Sequence, residues 1–256
     1  MDVVYLLIKT SNDNLEFRYS LRSLQNLKHS RVFVVWHKPK WCSDKVIHIP
    51  CNDNHASKYA NVRKKYRVIC NHPKISDDFI LMHDDIYVMN TVNKVQYHIL
   101  WDLEEHAAII LDRLWENNYY HAIRQVADMF PGGKSYDTHT PVLFNKDKFK
   151  YIMEQYWDAI GSKRSIYCNY YNCKWRRLAN CPDYNWNSLV DCKVFDINKW
   201  CIDPKQLYLS CDNNTFKFIK WHLHSKFPTM SPYEKNVHVK KKVYVRQALW
   251  LKNKTW

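Results

Sequence analysis

Ser76-Asp-Asp-Phe-Ile-Leu-Met-His-Asp-Asp-Ile-Tyr-Val-Met-Asn90 decides how the rest of this chain is read. The apolar run Phe79-Ile-Leu-Met82 leads straight into His83-Asp84-Asp85, and a second apolar run follows at once. A short unbroken apolar run is the pattern of a strand buried on both faces, in a sheet covered by helices. Carboxylates placed at the end of such a strand are costly unless they bind something. The carboxyl end of a parallel strand is also where open α/β sheets hold their ligands. Oxygen ligands of this kind suit Mg²⁺ or Mn²⁺, ions that bridge diphosphates. The stretch therefore predicts a metal-dependent site for a nucleotide diphosphate compound.

Outward from it, residues 3–8, 31–36 and 45–50 read as strands by their β-branched and apolar content. Residues 15–27 and 58–70 carry helical spacing, and Pro73 ends the second of these before the strand that begins at Asp77. Strand–helix alternation over the first ninety residues predicts a mostly parallel, Rossmann-like α/β sheet with right-handed crossovers. The remainder is less regular. Residues 103–117, 123–130 and 146–160 read as helices, Pro131-Gly-Gly133 as a turn, and 136–144 as a polar loop entering a strand. Residues 168–181 are aromatic and basic, and 193–197 read as a late strand. His222 and His224 alternate, so on a strand both face the same side.

Composition narrows the function classes. With 256 residues, 46% hydrophobic and 25% charged, the chain can bury the core of a soluble globular protein. Only three glycines occur, which excludes glycine-rich phosphate loops of the Walker and dinucleotide-binding types. Phosphates must then be held by a metal and by side chains. The net charge of +14 favours polyanionic partners, nucleic acid or an anionic surface among them. Eleven Trp and eighteen Tyr interleaved with that charge suit stacking on bases. Nine cysteines lack any Cys-x-x-Cys pair, and Cys168, Cys173, Cys181 and Cys192 fit no common zinc module. Buried, reduced thiols in the cytoplasm are the expectation, with neither a signal peptide nor a membrane span.

Asp-Asp at the end of the fourth strand of such a sheet resembles the metal motif of GT-A-type glycosyltransferases. That resemblance implies Asp85 as metal ligand, Asp84 as a supporting or sugar-facing carboxylate, and His83 in the first position, where the usual pattern has Asp. It implies Mn²⁺ or Mg²⁺ and a nucleotide sugar as donor, with a UDP-sugar first in line. A C-terminal His often completes the metal shell in that class, which makes His222 and His224 candidates. Asn14-Leu-Glu-Phe-Arg-Tyr-Ser-Leu-Arg-Ser-Leu24, Val32-Phe-Val-Val35 and the 76–85 stretch also resemble Stealth-type sugar-phosphate transferases, and Asp137-Thr-His-Thr-Pro141 echoes their His-x-Pro element. The overall layout resembles phage glycosyltransferases that decorate hydroxymethylated pyrimidines in DNA, with the base-J glucosyltransferase as a distant relative. These likenesses imply a DNA acceptor and, for a phage protein, residence in the host cytoplasm. They divide one continuous domain into a nucleotide-sugar half, 1–92, and an acceptor half, 93–256.

Further candidates follow from position. Thr10 and Asn12 come after the first strand, where this class of fold cradles the nucleoside. Arg18 and Arg22 share a helix face, free either to reach phosphate or to pair with nearby acids. Lys58, Asn61, Lys64 and Lys65 lie on a basic helix ahead of the metal strand, and Lys226, Ser231 and Glu234 follow in a Pro-marked loop able to close over the donor. A general base for an inverting reaction would come from Asp137 or His139, with Asp183 and Asp191 in the same half. Lys174-Trp-Arg-Arg177 and Lys240-Lys-Lys242 would track acceptor phosphates. Two other readings stand beside this one. The first is a cell-envelope or capsule glycosyltransferase, or a Stealth-like sugar-phosphate transferase. The second is a non-catalytic nucleic-acid-binding protein whose Asp pair merely ends a strand.

Overall fold

A computed structural model describes residues 1–52, 58–99, 101–114, 117–159, 162–177, 205–211 and 213–235. Its centre is a five-stranded sheet in the order β3-β2-β1-β4-β7, built from β1 (Asp2–Leu7), β2 (Val32–Trp36), β3 (Val46–Ile49), β4 (Asp78–Met82) and β7 (Val142–Asn145). The first four strands run parallel, and β7 joins the edge antiparallel to β4. Between them lie α1 (Leu15–Ser23) and α2 (Lys58–Asn71). The expected mixed α/β architecture is therefore present.

Period-two alternation explains how the sheet holds its helices. Val4, Phe33, Val35, Phe79 and Leu81 point into one core, shared with Ile69 of α2 and with Phe149 and Ile152 of α5 (Lys146–Gln155). Val3, Tyr5, Val32, Val34, Ile80 and Met82 point the opposite way, onto Phe17 and Leu21 of α1. Both faces are covered, which is why these strands read as unbroken apolar runs rather than as alternating ones.

Beyond β4 the chain leaves this sheet. Strand β5 (Ile86–Val88) pairs antiparallel with β9 (Tyr208–Ser210), and β6 (Tyr97–Ile99) pairs parallel with β8 (Trp175–Arg177). Helices α3 (Leu103–Leu114), α4 (Asn118–Met129) and α6 (Lys163–Tyr170) fill the intervening chain. Residues 168–181, expected only as an aromatic and basic stretch, contain the end of α6 and all of β8. The late strand expected at 193–197 lies outside the described residues.

One expectation is overturned. His222 and His224 sit on a helix, α7 (Asn213–Lys226), and not on a strand. Phe216, Ile219 and Leu223 are spaced for one helical face and pack on Tyr87, Met89 and Leu209 of the β5–β9 ribbon. Two positions apart on a helix is about 200°, so the two histidines face opposite ways. No described helix is long and apolar enough to cross a membrane.

The segment after α7 turns back onto α1. Lys235 N–H donates to the Trp41 carbonyl at 2.7 Å, and Ser43 N–H to that of Tyr233 at 2.8 Å. Glu234, its side chain 1% exposed, accepts from Arg22 Nε and Nη2 at 2.8 and 2.9 Å. Ser231 N–H adds a third donor at 2.9 Å, and Arg22 Nη1 reaches the Phe227 carbonyl at 3.1 Å. Glu234 is thus committed to a buried pair and is not a loop residue free to close over a ligand. Breaking one side of a satisfied buried pair leaves the other charge uncompensated, at about 3–5 kcal/mol. Glu234→Ala and Arg22→Ala are each expected to lose about that much in urea denaturation, and the double variant less than their sum.

Candidate functional site

The parallel register aligns Tyr5 with Met82, so His83, Asp84 and Asp85 emerge at the carboxyl edge beside the end of β1. Asp85 is then tied into the β5–β9 ribbon, since Cys211 N–H donates to its carbonyl at 3.3 Å. That pairing brings Ser210 opposite Ile86. The bend before β7 supplies His139, whose Nδ1 stands 3.7 Å from Asp85 Oδ2 and 3.0 Å from Ser210 Oγ. Three stretches distant in sequence thus meet at the Asp85 carboxylate.

The electrostatics of the pair are uneven. Burial, and then the charge of Asp85, push the Asp84 carboxyl up to about 7. Burial also works against the Asp85 charge, but His139 and, less strongly, His83 more than offset it and hold that carboxyl below its ordinary range. Asp85 is the ionised member and Asp84 the reluctant one. Asp85 Oδ1 is buried and has no hydrogen-bond partner among the described residues. A divalent cation would satisfy that oxygen and relieve the repulsion that raises Asp84. Among the described residues no group of three or more His, Cys, Asp and Glu side chains stands together as a ready ligand set. The residues fit a cation held by one or two carboxylates and completed by diphosphate oxygens and water, the usual arrangement for Mg²⁺.

The β1 loop is braced from within. Thr10 Oγ1 donates to Asn12 Oδ1 at 2.6 Å, and Asn14 N–H to Thr10 Oγ1 at 2.9 Å. Asp13 and Asn14 are both left-handed, at φ 56° and 54°, the conformation that Asp and Asn tolerate best among non-glycine residues. At the end of β2, Trp36 has φ 90°, its carbonyl accepts from His48 Nε2 at 2.8 Å, and the Lys65 ammonium lies 4.0 Å from its ring. Trp36 and Ser210 carry no motif and escape a reading of the sequence. Only nonlocal pairing gives them their place.

The remaining candidates separate. Arg18 lies over the Trp41 ring at 4.5 Å, its Nε 3.6 Å from Glu234, which favours the acid-pairing alternative for this helix face. Asn61 and Lys65 are buried on α2, and Lys64 donates to the Asn52 carbonyl at 2.8 Å. The Lys58 side chain lies outside what is described. Asp137 accepts from Ser162 Oγ, the N-cap of α6. Asp183 and Asp191 lie outside the described residues. His224 Nδ1 is 3.4 Å from the Tyr19 hydroxyl, and Lys226 is exposed at the end of α7. No described contact joins His222 or His224 to Asp85.

No protein-family model matches the chain, and no curated protein matches it in sequence. Among solved structures, it aligns with the galactosyltransferase LgtC in complex with donor and acceptor sugar analogues. That alignment has a TM-score of 0.48 and 10% identity, over 90% of this chain and 96% of the other. Mouse xyloside xylosyltransferase 1 aligns at a TM-score of 0.42 and 10% identity, over 84% of this chain and 99% of its own. GlyE of Streptococcus pneumoniae aligns at 0.39 and 11%, over 82% and 53%. These figures describe chain path alone.

The raised Asp84 has a consequence for stability. A carboxyl whose folded value of about 7 exceeds its unfolded value of about 3.9 contributes stability that is fully present below the latter. That contribution is lost as pH rises through about 7. Asp84→Asn, which keeps the shape and cannot ionise, is therefore expected to melt above wild type at pH above about 7, with the gap shrinking toward about pH 4. Thermal melts across that range check the sign, and Mn²⁺ should raise the wild type more than the variant at the alkaline end.

Proposed function

We propose that this protein is a GT-A-type glycosyltransferase that moves a sugar from a nucleotide diphosphate sugar to a polyanionic acceptor. The observation that carries the reading is the adjacent Asp84–Asp85 pair just beyond the carboxyl end of strand β4. One of its buried oxygens is unpartnered, and His139 stands against the other carboxylate oxygen of the same residue. The absence of a glycine-rich phosphate loop supports it as well, because the diphosphate then needs a cation and side chains to hold it.

Asp85 would hold Mn²⁺ or Mg²⁺, with Asp84 beside it as a second ligand or as a partner to the sugar. The bound ion supplies Lewis-acid stabilisation of the charge that develops on the departing diphosphate. His139 orients Asp85 and, through Ser210, keeps its ring fixed at the edge of the site. It is also the better placed of the two expected general bases, since Asp137 is engaged at the α6 N-cap. The end of the braced β1 loop, with Thr10 and Asn12, and Trp36 at the end of β2 would form the nucleoside side. Uridine diphosphate sugars are the first donors to test.

On the acceptor side, β8 and the residue before it present Lys174, Trp175, Arg176 and Arg177 at the surface, all exposed. With a net charge of +14, this supports a phosphate-bearing acceptor, and hydroxymethylated pyrimidine in DNA is the form we favour. The Lys240–Lys242 run lies outside the described residues.

Sugar-nucleotide hydrolysis or transfer should require the divalent ion and fall to background in Asp85→Asn with the fold intact. His139→Ala should lower it about 10–100-fold, as for a residue that orients a metal-bound carboxylate. Activity unchanged by Asp85→Asn would remove the enzymatic reading of this site. For the acceptor, duplex binding should weaken steeply with salt, and Arg176→Ala/Arg177→Ala should flatten that slope by about 1–2. Absence of DNA binding at low salt would remove the DNA acceptor and leave the sugar-transfer reading standing.

A further inference from the structure

Helix α6 ends in a motif that places two thiols together. Tyr171 closes the helix, and Asn172 follows in the left-handed conformation at φ 46°. Cys173 N–H donates to the Cys168 carbonyl at 2.9 Å, and Asn172 N–H to that of Asn169 at 3.2 Å. This pair of bonds is the Schellman closure of a helix, in which the side chains three residues before the cap and two after it come into contact. Those positions are usually filled by an apolar pair. Here both are cysteine and both are free, so the closure itself sets two thiols side by side.

We infer that Cys168 and Cys173 form a redox-active dithiol, a site of reversible intrachain disulfide formation separate from the carboxylate site. The two sulfurs differ in the way such a pair requires. Cys173 is partly open to solvent, and Cys168 is fully buried at the end of its helix. The neighbouring Cys168 thiol holds the Cys173 thiol below its ordinary range, whereas burial pushes the Cys168 thiol up. Cys173 is therefore the attacking sulfur and Cys168 the resolving one. The turn is also well held, because Tyr136 Oη donates to the Cys173 carbonyl at 3.0 Å and Tyr97 Oη to that of Leu143 at 2.9 Å.

With hydrogen peroxide as oxidant, the Cys173 thiolate attacks one peroxide oxygen. An S–O bond forms, the O–O bond breaks, and hydroxide leaves to be protonated to water. Cys168 then attacks the sulfenic sulfur: the S–S bond forms, the S–O bond breaks, and the departing hydroxide takes the Cys168 proton as water. The sum is two thiols and one peroxide giving one disulfide and two waters. The bond would tie the end of α6 to the start of β8, two residues beyond Cys173. The inference does not depend on the glycosyl-transfer reading.

Trypsin should release residues 165–174, between Arg164 and Lys174, as one peptide holding both cysteines. After mild peroxide treatment of the folded protein, that peptide is expected to resist alkylation and to weigh two hydrogens less, with dithiothreitol restoring both thiols. Buried Cys42 and Cys70, whose thiols burial pushes up to about 12, should remain reduced under the same treatment. Cys168→Ser should instead accumulate a dimedone-reactive sulfenate at Cys173. Two alkylatable thiols persisting in peptide 165–174 while other cysteines oxidise would overturn the inference. So would a folded Cys168→Ser variant that dimedone does not label. The wild-type peptide map needs no variant, so it decides the matter even if a substitution impairs folding.

Discussion

Two carboxylates pressed together at the end of a buried strand set the terms for everything around them. β4 is covered on both faces, so the half-buried carboxylates that follow Met82 and His83 sit at the rim of a dry interior. Asp85 stays ionised because His139 stands near it, and Asp84 yields to burial first and to the charge of Asp85 second. Such an arrangement is unfavourable by itself, and it persists where a ligand supplies the missing positive charge. The rest of the fold serves to hold it: the parallel register delivers the pair to the ligand edge, and the β5–β9 ribbon fixes the Asp85 backbone.

A second ionic device carries out a purely structural task. Arg22 and Glu234 close the chain on itself by joining the first helix to the segment after the last described helix. Its hydrogen bonds are well satisfied, so it stabilises position without offering charge to a ligand. Asp85 differs, although it too has a carboxylate oxygen shut off from solvent. Glu234 is matched by a forked guanidinium and the Ser231 backbone N–H, whereas Asp85 retains an oxygen with no described partner.

Much of the first ninety residues was legible because local pattern and tertiary role agree there. The apolar runs at Val3, Val32 and Phe79 became β1, β2 and β4, and Lys58–Asn71 became α2. The second half was harder because its strands are only three or four residues long and pair with distant partners. Over α7 two signals compete: His222 and His224 alternate as on a strand, while Phe216, Ile219 and Leu223 carry the helical period that prevails. His139 was legible as a polar residue in a loop entering a strand. Ser210 and Trp36 were not, since a lone Ser in a strand and a Trp at a strand end look the same wherever they fall. Which of Asp137 and His139 faces the carboxylates depended on side-chain direction, which spacing alone does not give.

The central claim is that Asp84 and Asp85 form a cation-dependent diphosphate site, and calorimetric titration with a nucleoside diphosphate tests it most directly. Linkage requires cation and diphosphate to strengthen each other's binding by the same factor if they share the site. The account predicts that uridine diphosphate binds the wild type with Mn²⁺, loses most of its affinity in a chelator, and loses the Mn²⁺ effect in Asp85→Asn. Equal affinity with Mn²⁺ and with chelator, or an Mn²⁺ effect that survives Asp85→Asn, would contradict it.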